Sequence, residues 1–114
     1  MTTLLSLLLA LRLMGIPCQV VTVSVSGYWN GSGAPPYQGL MRNGEYTRPG
    51  VAACGPKLFA QRAILYVEGI GLVQCLDTGD EIGEGNVDVW KATEAEAWGM
   101  ERKTLPAIIV RGTP

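Results

Sequence analysis

The side chains in this sequence best placed to move a proton are Asp77 and Asp88. They stand eleven positions apart in the stretch Asp77-Thr78-Gly79-Asp80-Glu81-Ile82-Gly83-Glu84-Gly85-Asn86-Val87-Asp88-Val89-Trp90. A polar, glycine-rich turn carries the first carboxylate, and a strand-like Val-Asp-Val carries the second. Carboxylates that converge on one site raise one another's pKa, and a raised carboxylate is an acid near neutral pH. Such help is needed, because an ordinary Asp with a pKa of about 3.9 is protonated in only about one molecule per thousand at pH 7. The bland alternative is structural: Asp77 holds its turn through backbone amides, as in an Asx-turn, and Asp88 bonds a polar group on a neighbouring strand.

The other residues narrow the chemistry. The chain has no histidine, which removes Ser-His and Cys-His catalysis and the commonest zinc ligand. Cys18, Cys54 and Cys75 form no Cys-x-x-Cys pair, so neither a zinc nor a redox motif is present. No metal and no cofactor is expected. Cys54 and Cys75 fall on separate strand-like segments. They are either a disulfide, if the chain is exported, or two buried free thiols. The formal net charge of −1 argues against nucleic acid as a partner, which a basic face would recognise. Eight of the ten acidic residues lie between Asp77 and Glu101. A solvated face accounts for Glu94, Glu96 and Glu101, but less well for Asp77 and Asp88, whose neighbours are apolar.

The elements that must position these residues are short. With 114 residues, 47% hydrophobic and 17% charged, the chain is long enough for one compact domain. Leu4 to Ile16 is apolar apart from a few positions, carries Arg12 and ends at Pro17. It is too short for an ordinary membrane span and suits the apolar region of a signal peptide, or else a terminal helix docked on the domain. Residues 1–18 are therefore set apart from a domain at 19–114, and a secreted or cell-envelope location is expected. From Gln19 to Ser26 the chain alternates, with Val21, Val23 and Val25 on one face and Thr22, Ser24 and Ser26 on the other. Gly27 to Gly50 reads as a long loop bearing Tyr28, Trp29, Tyr37 and Tyr46, aromatics that suit sugar stacking or self-packing equally. Strands are expected at 51–54, 63–67, 71–76, 86–90 and 107–110, the last with Pro106 at its start. One helix is expected from Thr93, with a Thr93/Glu96 capping box, Ala95, Ala97 and Trp98 as a modest apolar side, and Gly99 as its stop. Six short strands and one short helix, with frequent turn signals, make a mainly β fold, and a small closed barrel removes the exposed edges. The oligomeric state is left open.

On these residues the chain resembles a known family. Asp77-Thr78-Gly79, Ile82, Gly85, Val87-Asp88-Val89-Trp90, Glu96-Ala97 and Trp98-Gly99 are similar, in order and spacing, to the "3D" (three-aspartate) domain of MltA-type lytic transglycosylases and stationary-phase survival proteins, with RlpA-like proteins and expansins as distant relatives. The likeness runs from about residue 20 to residue 110. It implies a six-stranded double-psi β-barrel acting on peptidoglycan glycan strands. The family's first aspartate precedes a proline, whereas here Gly55 precedes Pro56, so that carboxylate is missing. The family chemistry cleaves the bond between N-acetylmuramic acid and N-acetylglucosamine and leaves a 1,6-anhydro product. By resemblance, Asp77 is the acid/base and Asp88 its partner, Thr78 and Gly79 shape the site, and Tyr28, Trp29 and Tyr37 bind the glycan. The alternative implied is a non-catalytic glycan-binding or structural barrel with a decayed site.

Overall fold

The computed structural model describes residues 4–29, 41–42, 44–79 and 81–111. It is a closed six-stranded β-barrel with three short helices. In chain order the elements are α1 (Leu4–Leu13), β1 (Gln19–Tyr28), β2 (Val51–Cys54), α2 (Pro56–Ala60), β3 (Ile64–Val67), β4 (Gly71–Asp77), β5 (Asn86–Trp90), α3 (Glu94–Trp98) and β6 (Lys103–Arg111). Around the barrel the strands follow the order β1-β5-β2-β4-β3-β6. The β1–β5 and β2–β4 pairs are parallel and the other four are antiparallel.

This pairing scheme is unchanged when the chain's two halves are exchanged, β1–β3 for β4–β6. The parallel β1–β5 pair becomes the parallel β4–β2 pair, and the antiparallel β1–β6 pair becomes β4–β3. The helices follow the same rule, α2 after β2 and α3 after β5. No repeat is visible in the sequence, so the two-fold pattern belongs to the backbone.

Alternation builds the interior. Val23, Val25, Ala52, Cys54, Leu65, Val67, Val73, Cys75, Val87, Val89 and Ala107 are buried in one cluster. Leu58 of α2 and Ala63 join them and close one end. Cys54 and Cys75 are joined by a disulfide, with Cα atoms 5.5 Å apart, which staples β2 to β4 inside the barrel. Across the other end α3 runs so close to β1 that a Cβ on Gly27 would lie 2.9 Å from the Ala97 carbonyl oxygen.

The structure departs from the sequence reading in four places. A helix is added, α2, whose Pro56 fits a first helical turn where an amide hydrogen is dispensable, while the apolar amino-terminal run forms α1, the helical one of its two readings. β1 runs on through Gly27 and Tyr28, which the reading gave to a loop, because these residues pair with Val89 and Trp90. β6 begins at Lys103, so Pro106 lies inside the strand opposite Thr22 and its carbonyl accepts from Glu68 N–H at 3.1 Å. Trp98, taken as part of the helix's apolar side, is 78% exposed, and Ala97 is the buried residue of α3. The α3 cap forms as expected on one side: Thr93 Oγ1 accepts from Glu96 N–H at 3.1 Å. The Glu96 carboxylate, however, meets the Thr93 hydroxyl at 3.0 Å.

Helix α1 lies against β6 with only Leu4 buried, while Leu5, Leu9, Leu13 and Met14 are exposed. No helix among the described residues is long and apolar enough to cross a membrane.

Candidate functional site

Strand alternation alone would turn Asp77 into the barrel, in phase with buried Val73 and Cys75. A register shift prevents this. Ala52 pairs with Cys75, but the next residue, Ala53, pairs with Asp77. Leu76 is thus the extra residue of a bulge, a device that re-aims the side chain after it. In-register neighbours share a face of the sheet, so Asp77 joins Ala53 on the outer face. Ala53 also pairs with Asp88 on its other side, and Asp88 pairs with Ser26. Four residues on four strands therefore form one row: Ser26, Asp88, Ala53 and Asp77. Asp77 and Asp88 are separated by two strand spacings, about 10 Å between Cα atoms.

Asp77 is held by three donors. Its Oδ1 accepts from Thr78 N–H and from Arg42 N–H, both at 2.9 Å. Its Oδ2 faces the Tyr28 hydroxyl at 3.4 Å, longer than a well-formed O–H···O bond. The chain thus returns to Asp77 at both described ends of the segment that follows β1. Thr78 Oγ1 donates to the Cys54 carbonyl at 2.8 Å, which ties the turn to the end of β2. Gly79 closes that turn by accepting from Ile82 N–H at 3.1 Å.

Asp88 has different company. Its Oδ1 accepts from Ser26 Oγ at 2.6 Å and from Arg102 Nη2 at 2.9 Å. Arg102 also reaches Ser24 Oγ and Ser26 Oγ, each at 2.9 Å. The carboxylate charge is therefore matched by a guanidinium in a half-covered position. Neither Ser26 nor Arg102 lies in the motif around the aspartates. Ser26 was legible as part of the polar face of β1, whereas Arg102 carried no local signal, since its partners come from 14 to 78 residues away.

Tyr28 links the two acids. Burial, then the charge and hydrogen bond of Asp77, and then the charge of Asp88 push its phenol far above its ordinary value of 10.0. The hydroxyl is protonated throughout the physiological range and serves as a donor. Tyr28 also lines a cleft of about 450 Å³ with Trp29, Trp98, Met100 and Glu101. Exposed Trp98 is steadied by an Nε1–H bond to Glu94 at 3.1 Å. Two of the sequence-predicted glycan binders, Tyr28 and Trp29, thus share a cleft. The third, Tyr37, lies outside the described residues. Trp98 was missed because its helical spacing reads as core.

Gly55 occupies the place where the resembled family carries an aspartate. It is buried, and a Cβ there would run into the Gly83 carbonyl oxygen and lie 3.0 Å from Glu84 Cα. The backbone of residues 83–84 fills the space a third carboxylate would need. No known protein-family model matches this chain, and no curated protein matches its sequence.

Proposed function

We propose that the barrel binds peptidoglycan glycan strands and cleaves them as a lytic transglycosylase, with Asp77 as the single acid/base. The observation that carries this is Tyr28, whose hydroxyl faces Asp77 Oδ2 and which also lines the cleft with Trp29 and Trp98. A sugar ring stacked in that cleft would bring a glycosidic oxygen toward Oδ2. Oδ1 is engaged by two backbone amides, so the proton falls to Oδ2, whose contact with the Tyr28 hydroxyl is long. The chemistry needs only one carboxyl. It protonates the leaving oxygen, then takes the proton of the muramyl 6-hydroxyl as that oxygen attacks the anomeric carbon, giving the 1,6-anhydro sugar. General acid–base catalysis of this kind contributes roughly 10²–10⁴-fold. Asp88, paired with Arg102, sets the field around Tyr28 and fixes β1 to β5.

The two-fold pairing scheme supports a double-psi barrel of the 3D type. A cell-envelope or secreted location is supported by the Cys54–Cys75 disulfide, since such bonds persist in oxidising compartments.

A second reading is glycan binding without cleavage. It is favoured by the Arg102–Asp88 ion pair, which engages Asp88 with a guanidinium instead of with Asp77, and by the backbone that fills the third carboxylate's place. Incubation with purified sacculi separates the two. Release of 1,6-anhydromuropeptides supports cleavage, co-sedimentation without release supports binding alone, and neither result sinks both.

A further inference from the structure

A second cavity, of about 530 Å³, is lined by Arg42, Glu45, Phe59, Arg62 and Leu76, among others. Its charge is unusual for a chain of net charge −1. Glu45 is already paired with Arg48 at 3.0 Å. Arg42 and Arg62 have no carboxylate partner among the described residues, whose ion pairs are Arg48–Glu45 and Arg102–Asp88.

Arg62 carries an independent mark. It follows α2, where Arg62 N–H donates to the Phe59 carbonyl at 3.0 Å and Ala63 N–H to the Leu58 carbonyl at 3.1 Å. This double closure requires a left-handed residue, usually glycine. Arg62 takes that conformation at φ 50°, and it is the one non-glycine with positive φ among the described residues. A side chain kept against its backbone preference points to a task for the side chain. The guanidinium presents a planar fork suited to oxyanions, and Phe59 and Leu76 supply an apolar wall. The volume falls within the range of small-ligand sites.

We propose that this cavity is a binding site for a small organic oxyanion, a carboxylate or phosphate on a partly apolar body, gripped by Arg42 and Arg62. The site stands whether or not Asp77 cleaves a glycan. It adjoins Asp77, since Arg42 N–H donates to that carboxylate and Leu76 precedes it, so occupancy is felt at the Asp77 turn.

The test is a titration of the ¹⁵N-labelled full chain with N-acetylleucine, phenyl phosphate and neutral N-acetylleucinamide. Either anion is expected to move the amide resonances of Arg42, Phe59 and Arg62 saturably, and the tighter one identifies the oxyanion. The neutral amide is expected to move none of them. Arg42→Gln and Arg62→Gly are each expected to weaken binding at least fivefold. Arg62→Gly keeps or raises Tm, because glycine relieves the left-handed strain, so its loss of binding is not loss of fold. The proposal is overturned by equal binding of the neutral amide, by no saturable shift with either anion, or by full affinity in Arg62→Gly.

Discussion

Asp77 and Asp88 stand in one row on the outside of the barrel, each the direct cross-strand neighbour of Ala53. One strand separates them, yet their surroundings differ. Asp88 meets a guanidinium and a hydroxyl, and Asp77 meets two backbone amides and a protonated phenol. That asymmetry separates an ion-paired carboxylate from one held by neutral donors.

Asp77→Asn removes the proposed proton-carrying group and keeps an oxygen to accept from Thr78 and Arg42. Anhydromuropeptide release is expected to fall at least 10²-fold, with co-sedimentation on sacculi and Tm nearly unchanged. Full lytic activity in Asp77→Asn would remove the catalytic assignment.

Arg102 and Asp88 are expected to couple. In a double-mutant cycle with Arg102→Ala and Asp88→Asn, urea unfolding should give an interaction energy of about 1 kcal/mol, modest because Arg102 is half exposed. A coupling of zero would leave the pair ornamental.

The Tyr28 phenol makes stability fall in alkali. Its folded-state pKa lies above the unfolded value of 10.0, so the folded chain retains this proton when the unfolded chain has lost it. The contribution is complete below pH 10 and declines as pH rises from there, by up to about 1.4 kcal/mol per unit. Absorbance at 295 nm should show one phenol ionising only as the fold is lost. That component, and the steep alkaline decline, should both vanish in Tyr28→Phe.

Gly55→Asp would supply, in sequence only, the carboxylate that the resembled family carries at this place. Its side chain would collide with the backbone of residues 83–84, and a loss of about 2–3 kcal/mol is expected, with no gain in lytic activity. A variant as stable as the parent would show that this turn yields.

The Cys54–Cys75 bond closes a loop with a sequence separation of 21. Replacing both cysteines by serine is expected to cost about 3 kcal/mol through the freed unfolded chain, read by urea midpoint without reductant. A parent chain whose midpoint is unmoved by reductant would contradict this.

The strands were legible wherever the pattern is local. Val21, Val23 and Val25 alternate with Thr22, Ser24 and Ser26, and Val87 and Val89 flank Asp88, because a side-chain period of two is written directly into neighbouring residues. The Thr93 cap and the Asp77-Thr78-Gly79 turn were readable for the same reason. Helix α2 was hidden, since five residues beginning at a proline show too little of a helical period to register.

The amino-acid order alone therefore determined a small β-barrel, with one aspartate on a turn and one on a strand, while the fold extended β4 to include Asp77. The folded chain decided which way they point and what they touch. The Leu76 bulge that turns Asp77 outward depends on how β4 pairs with β2, and Arg102 reaches Asp88 and Ser24 only because β1 and β5 lie side by side. Pairing register and long-range electrostatics arise between segments distant in the chain, so no local window contains them.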